Sequence, residues 1–148
     1  MKNRERTIRI VQILLTVTAL ECFGPILRDF NVSHAWNPDW VGHARYHLVW
    51  QLATMGLSGL AILYLIWFRK PRDVRNLWLS AIWQATIVAG FWVAWVLTPI
   101  YEGSVTMPNM HVVIFGINEN VVVFTVLSSV LAAAIALLAT QLREGSAG

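Results

Sequence analysis

The chain has 148 residues, 57% of them hydrophobic and 13% charged, with eight Trp and one Cys. That balance and a mean hydropathy of +0.58 leave no room for a separate soluble domain and point to a single transmembrane domain over residues 1–148. The formal charge of +3 sits on Lys and Arg that flank apolar runs, which makes it a topology signal rather than a nucleic-acid footprint; no nucleic-acid partner is expected.

Four apolar stretches, at about 8–27, 46–68, 77–100 and 112–138, each approach or exceed the roughly 20 helical residues that cross a bilayer. In lipid the backbone is satisfied only within helices or closed barrels, so the expected fold is all-α, an integral membrane four-helix bundle.

The first stretch opens on Lys2, Arg4, Arg6 and Arg9. It resembles a signal sequence at its start, yet no A-x-A site follows, and Glu21 before Cys22 excludes a lipoprotein cleavage there. A single Cys makes no internal disulfide, and Cys22 reads as a small packing residue. Glu21 lies inside the apolar run. An ionisable group in that setting costs roughly 2.5–3.5 kcal/mol on insertion scales, which makes it a functional-site candidate by default.

The loop over residues 28–45 is rich in recognition chemistry: Asp29, Asn31, His34, Trp36, Asn37, Asp39, Trp40, His43 and Arg45. Asn37-Pro38 initiates a turn and Asp39 is placed to cap a helix running through Val41, so the loop is expected to fold as an outer lid. Trp36 and Trp40 also suit the aromatic belt of a membrane interface. In the second stretch His43, His47, Gln51, Thr54 and Ser58 recur at helical spacing and share one face. The turn that follows, Arg69 to Asn76, is short and basic, with Pro71 blocking helix continuation. Together with the basic start it sets both termini in the cytoplasm, which fits a bacterial inner membrane protein.

The third stretch offers Ser80, Gln84 and Thr98, residue types that join helices in membranes. A second outer loop holds Glu102, Gly103, Pro108 and Asn109. In the fourth stretch His111, Phe115, Asn118, Val122, Thr125 and Ser129 share a helical face, and Asn118-Glu119-Asn120 sweeps about 200° of arc. Helical rise puts Glu21 about 10 Å below the outer surface, counted from Arg28, and Glu119 about 12 Å below it, counted from His111. All four His fall at or beyond the outer helix ends. The pattern predicts a crater open on the outer side, into which Glu21 and Glu119 point together with His47 or Gln51.

Three chemistries use such a crater. His43-x3-His47 sets two imidazoles on adjacent turns, where a mononuclear metal would bind with His111, Glu21 or Glu119 completing the set. A haem would lie between His47 and His111. Acid–base chemistry on a lipid-soluble substrate would use a desolvated carboxylic acid as proton donor and a His as relay, with ring faces of Trp36, Trp50, Trp83, Trp92 and Trp95 against a developing carbocation.

The size, the four helices and the acidic residues in a Trp-lined pocket resemble the EXPERA group of small four-helix membrane proteins, which includes sterol isomerases and sigma-2-type sterol-binding proteins. Leu48-Val-Trp-Gln-Leu52 is similar to the aromatic-Gln-Leu part of that group's second-helix motif, with His47 near the family's Glu. Trp36-Asn-Pro-Asp-Trp40 with Trp50 and Met55-Gly56 also resembles the tryptophan-rich TspO proteins, which have a fifth membrane helix. The EXPERA likeness implies a sterol- or isoprenoid-like ligand and isomerase or cyclase chemistry. The expected catalytic residues are Glu21, Glu119 and His47, and the expected ligand-binding residues are Gln51, Asn118, His43, His111, Trp50, Trp36 and Arg45. No resident cofactor is assigned. The same polar groups also suit a non-catalytic lipophile sensor, or a subunit that turns its polar face to a partner, including a second copy in a homodimer.

Overall fold

The computed structural model describes residues 2–71, 73–106 and 112–146. Pro108, Asn109 and His111, named above as loop or site residues, lie outside the described residues. Along the chain run α1 (Lys2–Ala19), a 3-10 turn (Leu20–Cys22), α2 (Gly24–Asp29), α3 (Gly42–Trp67), α4 (Val74–Tyr101), a hairpin of β1 (Val113–Ile114) and β2 (Ile117–Asn118), and α5 (Glu119–Ser146). Four of the resulting spans, Asn3–Asp29, Gly42–Trp67, Val74–Tyr101 and Glu119–Gln141, are long and apolar enough to cross a membrane. Their outward faces carry large apolar side chains such as Leu57, Val96 and Ile100, which suits lipid rather than water.

The first span is broken where a continuous helix over 8–27 is expected. Pro25 has no N–H to give to the Glu21 carbonyl four residues back, so the regular ladder fails at that point. The chain answers with the 3-10 turn, closed by the Phe23 amide on the Leu20 carbonyl at 3.0 Å, and restarts as α2 with Pro25 in its first turn. Glu21 therefore sits on an irregular turn rather than on a straight helix.

The last helix begins at Glu119, seven residues after the expected start at 112. Phe115 (φ 51°) and Gly116 (φ 81°) are both left-handed, as a two-residue hairpin loop of the primed type requires. They pair Val113 with Asn118 and Ile114 with Ile117. Asn118 then ends the strand and starts the helix, its Oδ1 accepting from the Asn120 amide at 2.9 Å, an Asx-type cap. Glu119 is consequently a first-turn residue at a helix N-terminus, not a mid-helix residue. The face expected to join His111, Phe115, Asn118 and Thr125 is not formed among the described residues, because 113–118 is a hairpin and not a helix.

α1 is the central element and packs against α3, α4 and α5. The core lies in the half of the bundle that holds the chain ends, around Val11, Leu15, Ile62, Ile66, Leu77 and Leu138. Side chains also tie the helices together: Gln12 Nε2 donates to the Ile66 carbonyl at 3.0 Å, Trp67 Nε1 to Thr16 Oγ1 at 3.0 Å, and Trp92 Nε1 to Ser128 Oγ at 2.9 Å. Gln84 is fully buried and donates to Ser80 on its own helix, so the helix-joining role expected of Gln84 falls to Ser128 instead. Thr125 and Ser129 are exposed and bond back to carbonyls of α5.

Two glycines of α3 bring it close to the broken segment. A Cβ at Gly59 would stand 2.7 Å from Phe23 Cζ and 2.8 Å from Cys22 Cβ, and one at Gly56 would stand 2.8 Å from Ile26 Cδ1. Small residues at such crossings let helix backbones approach in a membrane. Here they seat the turn that carries Glu21, and Cys22 is one of the packing groups.

Candidate functional site

A cavity of about 920 Å³ opens between the α1–α2 segment and the N-terminal half of α5. Its apolar walls are Val17, Leu20, Val123, Phe124 and Leu127, and its polar end holds Glu21, Arg28, Asp29, His34, Asn118 and Glu119. Phe124 is fixed by stacking on Phe91, with ring centroids 3.8 Å apart and planes 6° from parallel.

Glu21 lines this cavity at 5% exposure, and neither of its carboxyl oxygens has a hydrogen-bond partner among the described residues. Burying such a group without a partner is expensive, and natural structures rarely leave one so. Glu119 lies in the same cavity wall and is held differently: Arg28 Nη2 donates to its Oε1, linking α2 to α5. The position at the start of α5 also favours a negative charge, since the helix dipole is positive there. The two carboxylates that stand out in the sequence thus share one cavity, one without a partner among the described residues and one in an ion pair.

The loop over residues 30–41 forms part of the same wall. Asn31 Oδ1 accepts from the Ser33 amide at 2.8 Å and from Ser33 Oγ at 2.6 Å, while Asn37 Nδ2 donates to the Ser33 carbonyl at 2.9 Å. These Asx-type bonds give the segment a folded shape. Asp39 does not cap a helix: its amide donates to Asn37 Oδ1, and α3 starts at Gly42 behind Val41 with no side-chain cap. His34 Nδ1 is 2.7 Å from Ser33 Oγ and 3.9 Å from Asp29 Oδ1. Because the Ser33 hydroxyl proton goes to Asn31, His34 Nδ1 is the donor, which leaves Nε2 of the neutral ring as an acceptor. Trp40 meets His34 edge-on at 5.5 Å and is the Trp that lines the cavity.

Several expected site residues lie elsewhere. His43, His47, Gln51 and Trp50 are exposed on the outward face of α3 and do not line the cavity. Of that face only Ser58 is buried, because the side of α3 turned to the bundle carries Leu52, Gly59 and Ile62 instead. Arg45, on the neighbouring turn, is likewise outside the lining. Trp36 is 54% exposed and packs on Phe30 at 4.7 Å. Trp83 and Trp95 face outward and Trp92 bonds Ser128, so the walls expected to be rich in Trp are aliphatic, with Phe124 and Trp40 as the aromatic exceptions. Asn118, Glu119 and Asn120 all border the cavity.

Comparisons with family models, with curated proteins and with solved structures return no match. The site is therefore read from its own chemistry. Arg28, His34 and Trp40 are cavity residues that the sequence reading did not assign. His34 and Trp40 share the loop with Asn31 and Asn37, whose turn-forming side chains are the one sequence signal that the loop folds back.

Proposed function

We propose that the cavity binds a small amphipathic lipophile whose polar end donates a hydrogen bond to Glu21, with its apolar body along Val17, Leu20, Val123, Phe124 and Leu127. The observation that carries this is the pair of unpartnered, buried carboxyl oxygens on the wall of a cavity of about 920 Å³. Pockets for ligands of drug or lipid-fragment size occupy roughly 300–1,000 Å³, and they combine apolar walls with a few convergent polar groups. Three carboxylates, Glu21, Asp29 and Glu119, outweigh Arg28 in the lining, which favours an alcohol or amine head over an acid. The sterol- or isoprenoid-like class implied by the EXPERA likeness has this form.

The same groups support turnover. Glu21, when carrying a proton, adds it to one alkene carbon of the bound lipophile and leaves the cation on the other. His34 Nε2 accepts a proton from the allylic carbon beyond that cation, whose C–H electrons form the shifted double bond, and His34 then returns the proton to Glu21, with no change in composition. His34 replaces His47 as the proposed relay because it borders the cavity and His47 does not. Native mass spectrometry of protein extracted gently from its membrane is expected to show a single lipophile adduct that dissociates on activation. Protein that carries only detergent after extraction in several detergents, and that takes up no sterol or isoprenoid alcohol or amine when these are offered, would end this reading.

We further infer that the chain ends and the α3–α4 turn face the cytoplasm and the cavity end faces outward, since Arg4, Arg6, Arg9, Arg69, Lys70 and Arg75 all belong to the first end. Reporter fusions in the α3–α4 turn and after Gly148 should read cytoplasmic, and one at Asn37 external. The reverse pattern overturns the orientation.

A further inference from the structure

Outside the cavity, the first turns of α3 hold a second arrangement with its own chemistry. His43 and His47 are one helical turn apart and exposed, with Nε2 atoms 3.0 Å apart and ring planes at 85°. The spacing of one helical turn and the Nε2–Nε2 contact bring both ring nitrogens within reach of a single metal ion at a metal–nitrogen distance of about 2.05 Å.

We propose that His43 and His47 form a bidentate surface site for Cu(II), or for Ni(II) at lower affinity, with water or an anionic oxygen from the interface in the remaining positions. Imidazole ligands suit both ions, and copper leads the affinity order for divalent first-row metals. Among the described residues no cluster of three or more metal-ligating side chains occurs, and His43 and His47 are the two described ligands of this site. In the metal-free protein the short Nε2–Nε2 contact uses one N–H and one lone pair; on binding, the donor ring moves its proton through solvent from Nε2 to Nδ1, so that both rings coordinate as neutral imidazoles with no net proton released. The surroundings supply a built-in reporter, since the Trp50 ring lies 5.9 Å from the His47 ring. The site does not depend on the lipophile reading, because neither His borders the cavity.

The test is titration of untagged, full-length protein in detergent with Cu(II), followed by electron paramagnetic resonance and Trp fluorescence. The expected result is one equivalent of tetragonal Cu(II) with hyperfine structure from two equatorial imidazoles, and quenching that is lost in Trp50→Phe. His43→Ala and His47→Ala should each remove one imidazole from the spectrum and weaken binding by at least about 10- to 100-fold. Both residues are exposed, so circular dichroism should show unchanged folding, and His47→Gln provides a second variant of similar size. A two-imidazole spectrum that survives in the double Ala variant would place copper elsewhere, and equal affinity in wild type and double variant would remove the site; either result overturns the proposal.

Discussion

Glu21→Gln is expected to leave the bundle folded and to weaken binding of an alcohol- or amine-headed lipophile by about 5- to 50-fold. A hydrogen bond accepted by a carboxylate contributes roughly 1.5–3 kcal/mol, against roughly 0.5–1.5 kcal/mol for one accepted by the neutral amide oxygen that replaces it. The change keeps the size of a side chain whose oxygens have no partner among the described residues, so folding loses little. Thermal unfolding in detergent should move by no more than a few degrees while titration with the copurified lipophile shows the loss. Glu119→Gln is the contrast. It removes an ion pair whose Arg28 partner is 54% exposed, and such pairs are worth about 0–1 kcal/mol. A fall of less than about fivefold in affinity is expected there by the same scale. Equal losses in the two variants would mean that Glu21 has no special contact with the ligand.

Gly59→Leu should cost more than any cavity substitution does to stability. The first added carbon already meets Phe23 and Cys22 at 2.7–2.8 Å, so α3 must move away from the 3-10 turn. Overpacking of this kind costs about 1–3 kcal/mol, and more where backbone must shift. The expected outcome is a clear drop in the unfolding midpoint, together with lost ligand binding because the turn carrying Glu21 loses its seat. Gly90→Ala separates packing from helix propensity. Nothing lies within 4 Å of a Cβ at Gly90, and replacing Gly by Ala in an exposed helix gains up to about 1 kcal/mol. A Gly59→Leu variant as stable as wild type would show that α3 does not hold the turn.

The four long helices were legible because a helix able to cross a bilayer needs a long apolar run, and this chain has four such runs. Their ends were less so. The run from Val112 to Ile117 is as apolar as the helix that follows, and hydropathy does not separate a short exposed hairpin from a helix start. The signal was Gly116 followed by Asn118, a turn glycine and a cap, but Phe115 stands where Asn or Asp is usual in a primed turn. Apolarity alone therefore places Glu119 within a helix and does not reveal its ion pair with Arg28. Glu21 was legible as a group that needs an explanation, while Pro25, four residues on, was the overlooked cause of the irregular turn it occupies.

The face of α3 carries a different lesson. Periodicity groups His43, His47 and Gln51 on one side, but in a membrane both sides of a helix meet apolar surroundings, so the pattern does not say which side turns inward. The glycines decide it. Gly56 and Gly59 must face a neighbour closely, and their side of the helix is not the side of the imidazoles. His34 and Trp40 reach the cavity through loop bonds from Asn31, Ser33 and Asn37, which no helical spacing describes.

The central claim is that Glu21 meets a ligand rather than another protein group. Its most direct test is an experimental structure of the protein purified with the lipophile it carries from the membrane. The expected density is an elongated molecule between α1 and α5, with its polar atom within about 3.2 Å of a Glu21 carboxyl oxygen, the upper end of ordinary hydrogen-bond lengths. A cavity closed by protein, with the Glu21 carboxyl bonded to a side chain of this chain or of a second copy, would contradict the claim.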